Sequence, residues 1–176
     1  RFFLGDGFGV NPIAELQLWG GLSSITVLLA TLAVTPVRRL TGWNDLQKAR
    51  RLIGLFAFFY VVLHFLIWIG VDQTFDWQYI VADIVERPYI LIGFSAFLLL
   101  LPLALTSTNG WQKRLGRRWK VLHRLVYFAV PLSILHYFWL ERDIKDWVFI
   151  YAAYITVLFV IRFPSLRRAI ARTRQH

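Results

Sequence analysis

The chain has 176 residues, 57% of them hydrophobic and 17% aromatic, with a mean hydropathy of +0.53, a balance that belongs to a membrane protein rather than a soluble domain. A formal charge of +10 would suggest nucleic acid in a soluble protein, but here the basic residues lie between apolar runs, so no nucleic-acid partner is inferred. Cysteine and methionine are both absent, which excludes disulfides, iron–sulfur clusters and thiolate or thioether ligation of any metal.

In chain order, RFFLGDGFG opens without the charged region, short apolar core and small-residue cleavage site of a secretory signal. The missing initial methionine leads to the expectation of a preceding segment. A hydrocarbon core of about 30 Å takes about 20 apolar residues in helical form. Five stretches approach that length, from Leu16 to Val37, Leu52 to Val71, Pro88 to Thr106, Val121 to Leu140 and Trp147 to Phe163. The expected fold is an all-α integral membrane bundle, a single transmembrane domain over residues 1–176.

The loops set its orientation, because lysine and arginine in short loops stay on the cytoplasmic side. Arg38, Arg39, Lys48, Arg50 and Arg51 fill the first connection, and Lys113, Arg114, Arg117, Arg118 and Lys120 the third. Arg162, Arg167, Arg168, Arg172 and Arg174 fill the tail. The second connection is acidic (Asp72, Asp76, Asp83, Glu86 against Arg87), and so is the fourth (Glu141, Asp143, Asp146 against Arg142 and Lys145). Basic loops and C-terminus are therefore expected in the cytoplasm, and the start of the chain on the far side, which again implies a sixth helix before Arg1.

Within the second connection, Trp77, Ile80, Val81, Ile84 and Val85 recur at helical spacing, Asp76 can cap, and Pro88 can open the next helix. This predicts a short amphipathic helix on the outer surface, presenting Asp83 and Glu86. Such a helix either closes the bundle or docks an outer partner. Tryptophan and tyrosine gather at span ends, where they anchor in the lipid interface. WNDLQKARRL and WQKRLGRRWKVL are faintly similar, a hint of repeated helix pairs with which the histidines are not in register.

Four histidines remain, His64, His123, His136 and His176, and ionisable groups inside spans usually face the bundle interior and act there. At 1.5 Å per residue, His64 lies about 20 Å and His136 about 27 Å from the basic edge, and His123 only about 8 Å. Two imidazoles at comparable depth on separate helices suit a haem b clamped by His64 and His136, saturated at both axial positions and fitted for electron transfer. Tetrahedral zinc would need further ligands at that depth, and none is placed there. His123 stands about 140° around an ideal helix from His136, unless Pro131 distorts the turn. It could ligate a second haem, bind a quinone, or contact a flavin beside Arg50, Arg51, Arg117 and Arg118, which could hold propionates or phosphates.

RRLIGLFAFFYVVLHF, ERPYILIG, LALTSTNGWQKRLGRRWKVLHRLVY and HYFW together resemble the MsrQ (YedZ) family, haem-bearing membrane subunits of a bacterial methionine sulfoxide reductase system within the ferric-reductase-like transmembrane superfamily. The resemblance is strongest over about residues 35 to 140. It implies a six-helix b-type cytochrome of the bacterial inner membrane. Electrons would come from ubiquinol or menaquinol, or from a cytosolic flavin reductase with FMN as a further cofactor. They would pass to a periplasmic molybdopterin reductase of the MsrP type, which repairs oxidised methionine. It also implies that His64, His123 and His136 are the haem histidines and that Arg50 stands beside the cytoplasmic entrance.

Other functions compatible with the residues are a ferric or cupric reductase, which would usually need an attached flavin and nucleotide domain, and a non-redox transporter or assembly factor using the histidines as a proton relay. The loop alternation carries its own test. Reporter fusions in the loops around Asp76 and Lys113 are expected on opposite sides of the membrane; the same side for both overturns the topology.

Overall fold

Helix α1 (Pro12–Thr41) starts where Asn11 leaves extended backbone and its side-chain oxygen accepts the Ala14 N–H at 3.1 Å. Proline at the first position needs no hydrogen-bond donor there, and Gly42, at φ 76°, closes the other end. This is a computed structural model, and it describes residues 11–140 and 145–162. His176, Glu141, Arg142, Asp143 and the tail residues Arg167, Arg168, Arg172 and Arg174 lie outside the described residues.

Helix α2 (Leu46–Ile67) runs on through a π turn (Trp68–Asp72). Then come α3 (Trp77–Glu86), α4 (Pro88–Leu105), α5 (Asn109–Leu115) and α6 (Arg117–Leu122), a tight 3₁₀ turn (His123–Leu125), α7 (Val126–Leu140) and α8 (Lys145–Arg162). Among the described residues, four stretches are long and apolar enough to cross a bilayer: Pro12–Thr41, Leu46–Asp72, Pro88–Leu105 and Arg117–Leu140. In the fifth expected span, α8, the shorter stretch Phe149–Leu158 is apolar. The expected helical membrane bundle is borne out, and α5 is added where only a basic loop was read.

The side-chain pattern is that of a protein solvated by lipid. Along α2 the large residues Leu52, Phe56, Phe59, Leu63 and Leu66 are exposed at alternating spacings of four and three, one continuous stripe. In water such a face would be an aggregation surface; in hydrocarbon it matches its solvent. The opposite stripe carries Ala57, fully buried, and then Val61, His64 and Trp68. Helix α1 packs chiefly on α2 and α4 on α7, and the core joins both pairs to α8 through Leu28, Leu32, Leu100, Ala129, Val130, Ile134 and Ile155. Small side chains at the closest crossings, Ala57 and Ala129 at 0% exposure, let backbones approach where the hydrophobic effect supplies no drive.

The α3 helix forms as expected, with Asp76 accepting the N–H groups of Gln78 at 2.9 Å and Tyr79 at 3.4 Å. Its apolar face is split. Ile80 is buried and Ile84 half-buried, while Trp77, Val81 and Val85 point outward. The expectation that Asp83 is exposed is wrong: its side chain is 14% exposed, held by Gln73 Nε2 at 2.6 Å and Arg87 Nε at 3.2 Å. One turn toward the bundle from Glu86, Asp83 shares the face of Ile80, and burial with two donors offsets its desolvation.

Because Ala57 is fully buried in the core, Ala57→Leu is expected to cost about 1–3 kcal/mol of stability, while Phe56→Leu on the lipid face costs little. Unfolding of the two variants in detergent, compared with the parent, measures the difference.

Candidate functional site

His64 reaches the interior from α2 and His136 from α7, one from each helix pair. Their ring centroids lie 6.3 Å apart with the planes at 73°. Each ring is tethered the same way. His64 Nδ1 lies 3.0 Å from the Gln17 carbonyl on α1, and His136 Nδ1 lies 2.6 Å from the Tyr89 carbonyl on α4. A carbonyl only accepts, so Nδ1 carries the proton and Nε2 keeps its lone pair. Both Nε2 atoms are without a protein partner among the described residues. An imidazole whose outer N–H is held by a backbone carbonyl is arranged as a metal ligand is.

The two halves of the site are copies. Each tether joins residues 47 apart, and seventy-two residues separate His64 from His136 and Gln17 from Tyr89. The same offset relates Gly21 to Gly93, Leu28 to Leu100 and Ala57 to Ala129, and the members of each pair share a role. A Cβ on Gly21 would stand 3.4 Å from the His64 ring, and one on Gly93 would stand 2.7 Å from the His136 ring. Leu28 and Leu100 are 5% and 6% exposed. The repeat glimpsed in the basic motifs is therefore present in another register, one in which the histidines do coincide.

A cavity of about 200 Å³ opens between the pairs, lined by the two histidines and by Val61, Phe65, Phe94, Phe97 and Leu100. Polar lining gathers at the acidic-loop end, with Gln17, Trp68, Asp72, Arg87 and Tyr89. Two imidazoles on opposite sides of one iron, each nitrogen about 2 Å from the metal and each ring centre roughly 1 Å behind it, have centroids about 6 Å apart. Both ring planes then contain the nitrogen–metal axis and are free to turn about it, so 73° is allowed. The donor set, the glycine-lined approach and the greasy walls fit a haem. No group of three or more histidine, cysteine, aspartate or glutamate side chains that could hold a metal ion exists among the described residues.

His123 belongs elsewhere. It stacks on Trp119 at 3.8 Å, its Nδ1 lies 3.1 Å from the Trp119 carbonyl and its Nε2 lies 3.5 Å from Ser107 Oγ. The 3₁₀ turn at His123–Leu125 breaks the helix here, whereas Pro131 lies inside α7. A second cavity, of about 590 Å³ at the basic end, is lined by His123, Arg50, Arg51, Lys120 and Arg124, with no carboxylate among its lining residues. Arg51 is tied to Asn109 and to Gln112, the latter at 2.9 Å, whereas Arg50 has no such tie among the described residues. Arg117 and Arg118 do not line it. In the repeat, the mate of His123 is Arg51, so the second cavity lacks the paired histidines of the first.

Sequence reasoning missed the wall between the cavities. Phe58 lines the basic-end cavity, and Phe65, Phe94 and Phe97 line the other. Phe97 stacks on Phe58 at 6.0 Å and on Phe65 at 4.6 Å. Phenylalanines in an apolar span read as lipid-facing, and only the tertiary pairing shows them stacked.

Residues 19–134 match the family described as ferric reductase like transmembrane component, so the chain is a membrane protein of the ferric-reductase-like class. Among curated proteins it is similar to three named "Protein-methionine-sulfoxide reductase heme-binding subunit MsrQ". The relative from Herminiimonas arsenicoxydans is 48% identical, over 92% of this chain and 75% of the relative. That from Ralstonia nicotianae is 50% identical (89% and 74%), and that from Rhodospirillum rubrum 48% (94% and 81%). The chain belongs to the MsrQ family, as its motifs suggested. No solved structure matches it.

A Cβ at position 93 meets the His136 ring at 2.7 Å, where the ring is pinned by its tether. Gly93→Ala is therefore expected to displace His136 and lower the amount of haem recovered per protein, while Gly20→Ala, whose Cβ sits at 3.6 Å from His64, leaves it near the parent value.

Proposed function

We propose that this chain is the electron-relaying, haem-binding membrane subunit of a methionine sulfoxide reductase system, with His64 and His136 as axial ligands of one haem b. The observation that carries the reading is the pair of tethered imidazoles, equivalent in the repeat and spaced for one iron. A haem held by these two residues would supply one-electron chemistry. The protein's part is to keep both Nε2 lone pairs aimed, to exclude water with the phenylalanine wall, and to leave no open iron position, which disfavours oxygen binding.

The charged ends supply direction. We place the basic loops in the cytoplasm of a bacterial inner membrane and the acidic end in the periplasm. The basic-end cavity is then where electrons enter. Its cations and its lack of acid suit an anionic carrier, such as FMN presented by a flavin reductase, and His123 beside them suits the ring of a flavin or quinone, or a second haem. The acidic end, nearest the His64–His136 pair, is where electrons leave for a periplasmic molybdopterin reductase of the MsrP type. The relatives' name supports such a partner.

Alanine substitution separates the roles. His64→Ala and His136→Ala are each expected to abolish or severely reduce low-spin haem, because no methionine or cysteine exists to replace the ligand. His123→Ala is expected to keep that haem and to lose a second haem or the reduction entering from the basic end. The measurement is haem per protein with the dithionite-reduced spectrum; a His64→Ala protein with undiminished low-spin haem overturns the pairing.

A further inference from the structure

The cavity between His64 and His136 is chemically lopsided: its walls are largely apolar, the hydroxyls of Ser24 and Ser133 being donated to carbonyls of their own helices, and its other polar side chains besides the two histidines gather at the acidic-loop end. At that end the indole nitrogen of Trp68 is buried without a hydrogen-bond partner. Indole N–H is only a donor, and a buried donor left unpaired costs about 1–3 kcal/mol. Local structure fixes where Trp68 stands. It follows His64 by one turn on the same stripe, at the start of the π turn, and its backbone N–H is 2.8 Å from the Gln17 side-chain oxygen once that amide is turned so that its nitrogen donates to the His64 carbonyl at 3.3 Å. A π turn inserted next to a ligand residue re-aims the side chains that follow it.

Arg87 lines the same mouth. Its Nε is engaged by Asp83 at 3.2 Å and one terminal nitrogen lies 3.5 Å from the Tyr89 hydroxyl, which leaves further guanidinium N–H groups beyond these two contacts. The acidic groups there are Asp83, already paired, and Asp72, which is exposed to water. The repeat sharpens the asymmetry, because the mate of Trp68 is Leu140, with no donor. At this pair of positions the two-fold site thus carries a hydrogen-bond donor on the α2 side and none on the α7 side.

We propose that Trp68 Nε1–H and Arg87 form a carboxylate subsite that receives a propionate of the haem, so that the propionate edge faces the acidic-loop end. This rests on the haem reading above. Trp68 acts as a positioning residue. Its N–H and the Arg87 charge offset the carboxylate's negative charge, which otherwise stabilises ferric over ferrous iron. Removing either donor therefore lowers the midpoint potential, and removing the Asp72 charge raises it.

The test uses the whole protein purified with its haem. Trp68→Phe keeps the ring and deletes only the donor. Expected are unchanged haem per protein, a lower midpoint potential, and a propionate bending mode shifted to lower frequency in the resonance Raman spectrum. Arg87→Gln is expected to lower the potential as well and Asp72→Asn to raise it, opposite signs that general loosening of the site does not produce. Normal haem content in Trp68→Phe with the parental potential and bending mode overturns the subsite and leaves the histidine pair standing. A colourless parent protein removes the haem reading, and the subsite with it.

Discussion

Everything in the site depends on one hydrogen bond made twice: the Nδ1–H of a histidine donated to a backbone carbonyl in the first two turns of the helix packed beside it. An imidazole in a greasy span has no water to satisfy it, so the tether removes a cost and also fixes ring and tautomer. It ties α2 to α1 and α7 to α4, which are the two closely packed helix pairs. The glycines at 21 and 93 follow, since the tethered ring sweeps the place where a side chain would stand. Ala57 and Ala129 follow too, because helices at tether distance cannot carry larger residues at their crossing.

Repetition gives the arrangement its symmetry. Two equivalent helix pairs running the same way across the bundle put their histidines at one depth, so a metal held between them would meet equal ligands. The departures from the repeat are where the halves take on separate work. His123 is matched by Arg51, and Trp68 by Leu140, and these mark the basic-end cavity and the polar mouth. Charge follows the same division, with cations and no acid at one cavity and carboxylates around the mouth of the other.

Much of this was readable from residue type. Spans of the right length, the Asp76 cap, Pro88 at a helix start and the shared depth of His64 and His136 each rest on local rules of length, capping and rise. What escaped has a common physical origin. The tether acceptors are main-chain carbonyls of Gln17 and Tyr89, and any residue offers one, so no side chain signals them. Asp83 read as exposed because helical spacing does not say which flank of α3 meets the bundle. The repeat was sought in its basic motifs, which answer to topology, whereas its register is carried by a few small residues and the histidines. The stacked phenylalanines needed the pairing of α2 with α4 before they could be seen as a wall.

The central claim is that His64 and His136 share one iron with their planes near a right angle. Electron paramagnetic resonance of the ferric His123→Ala protein tests it most directly, because only the pair remains. The account predicts a low-spin signal of the strongly anisotropic kind that nearly perpendicular axial imidazoles produce. A high-spin signal, showing an iron with fewer than two histidine ligands, would contradict it.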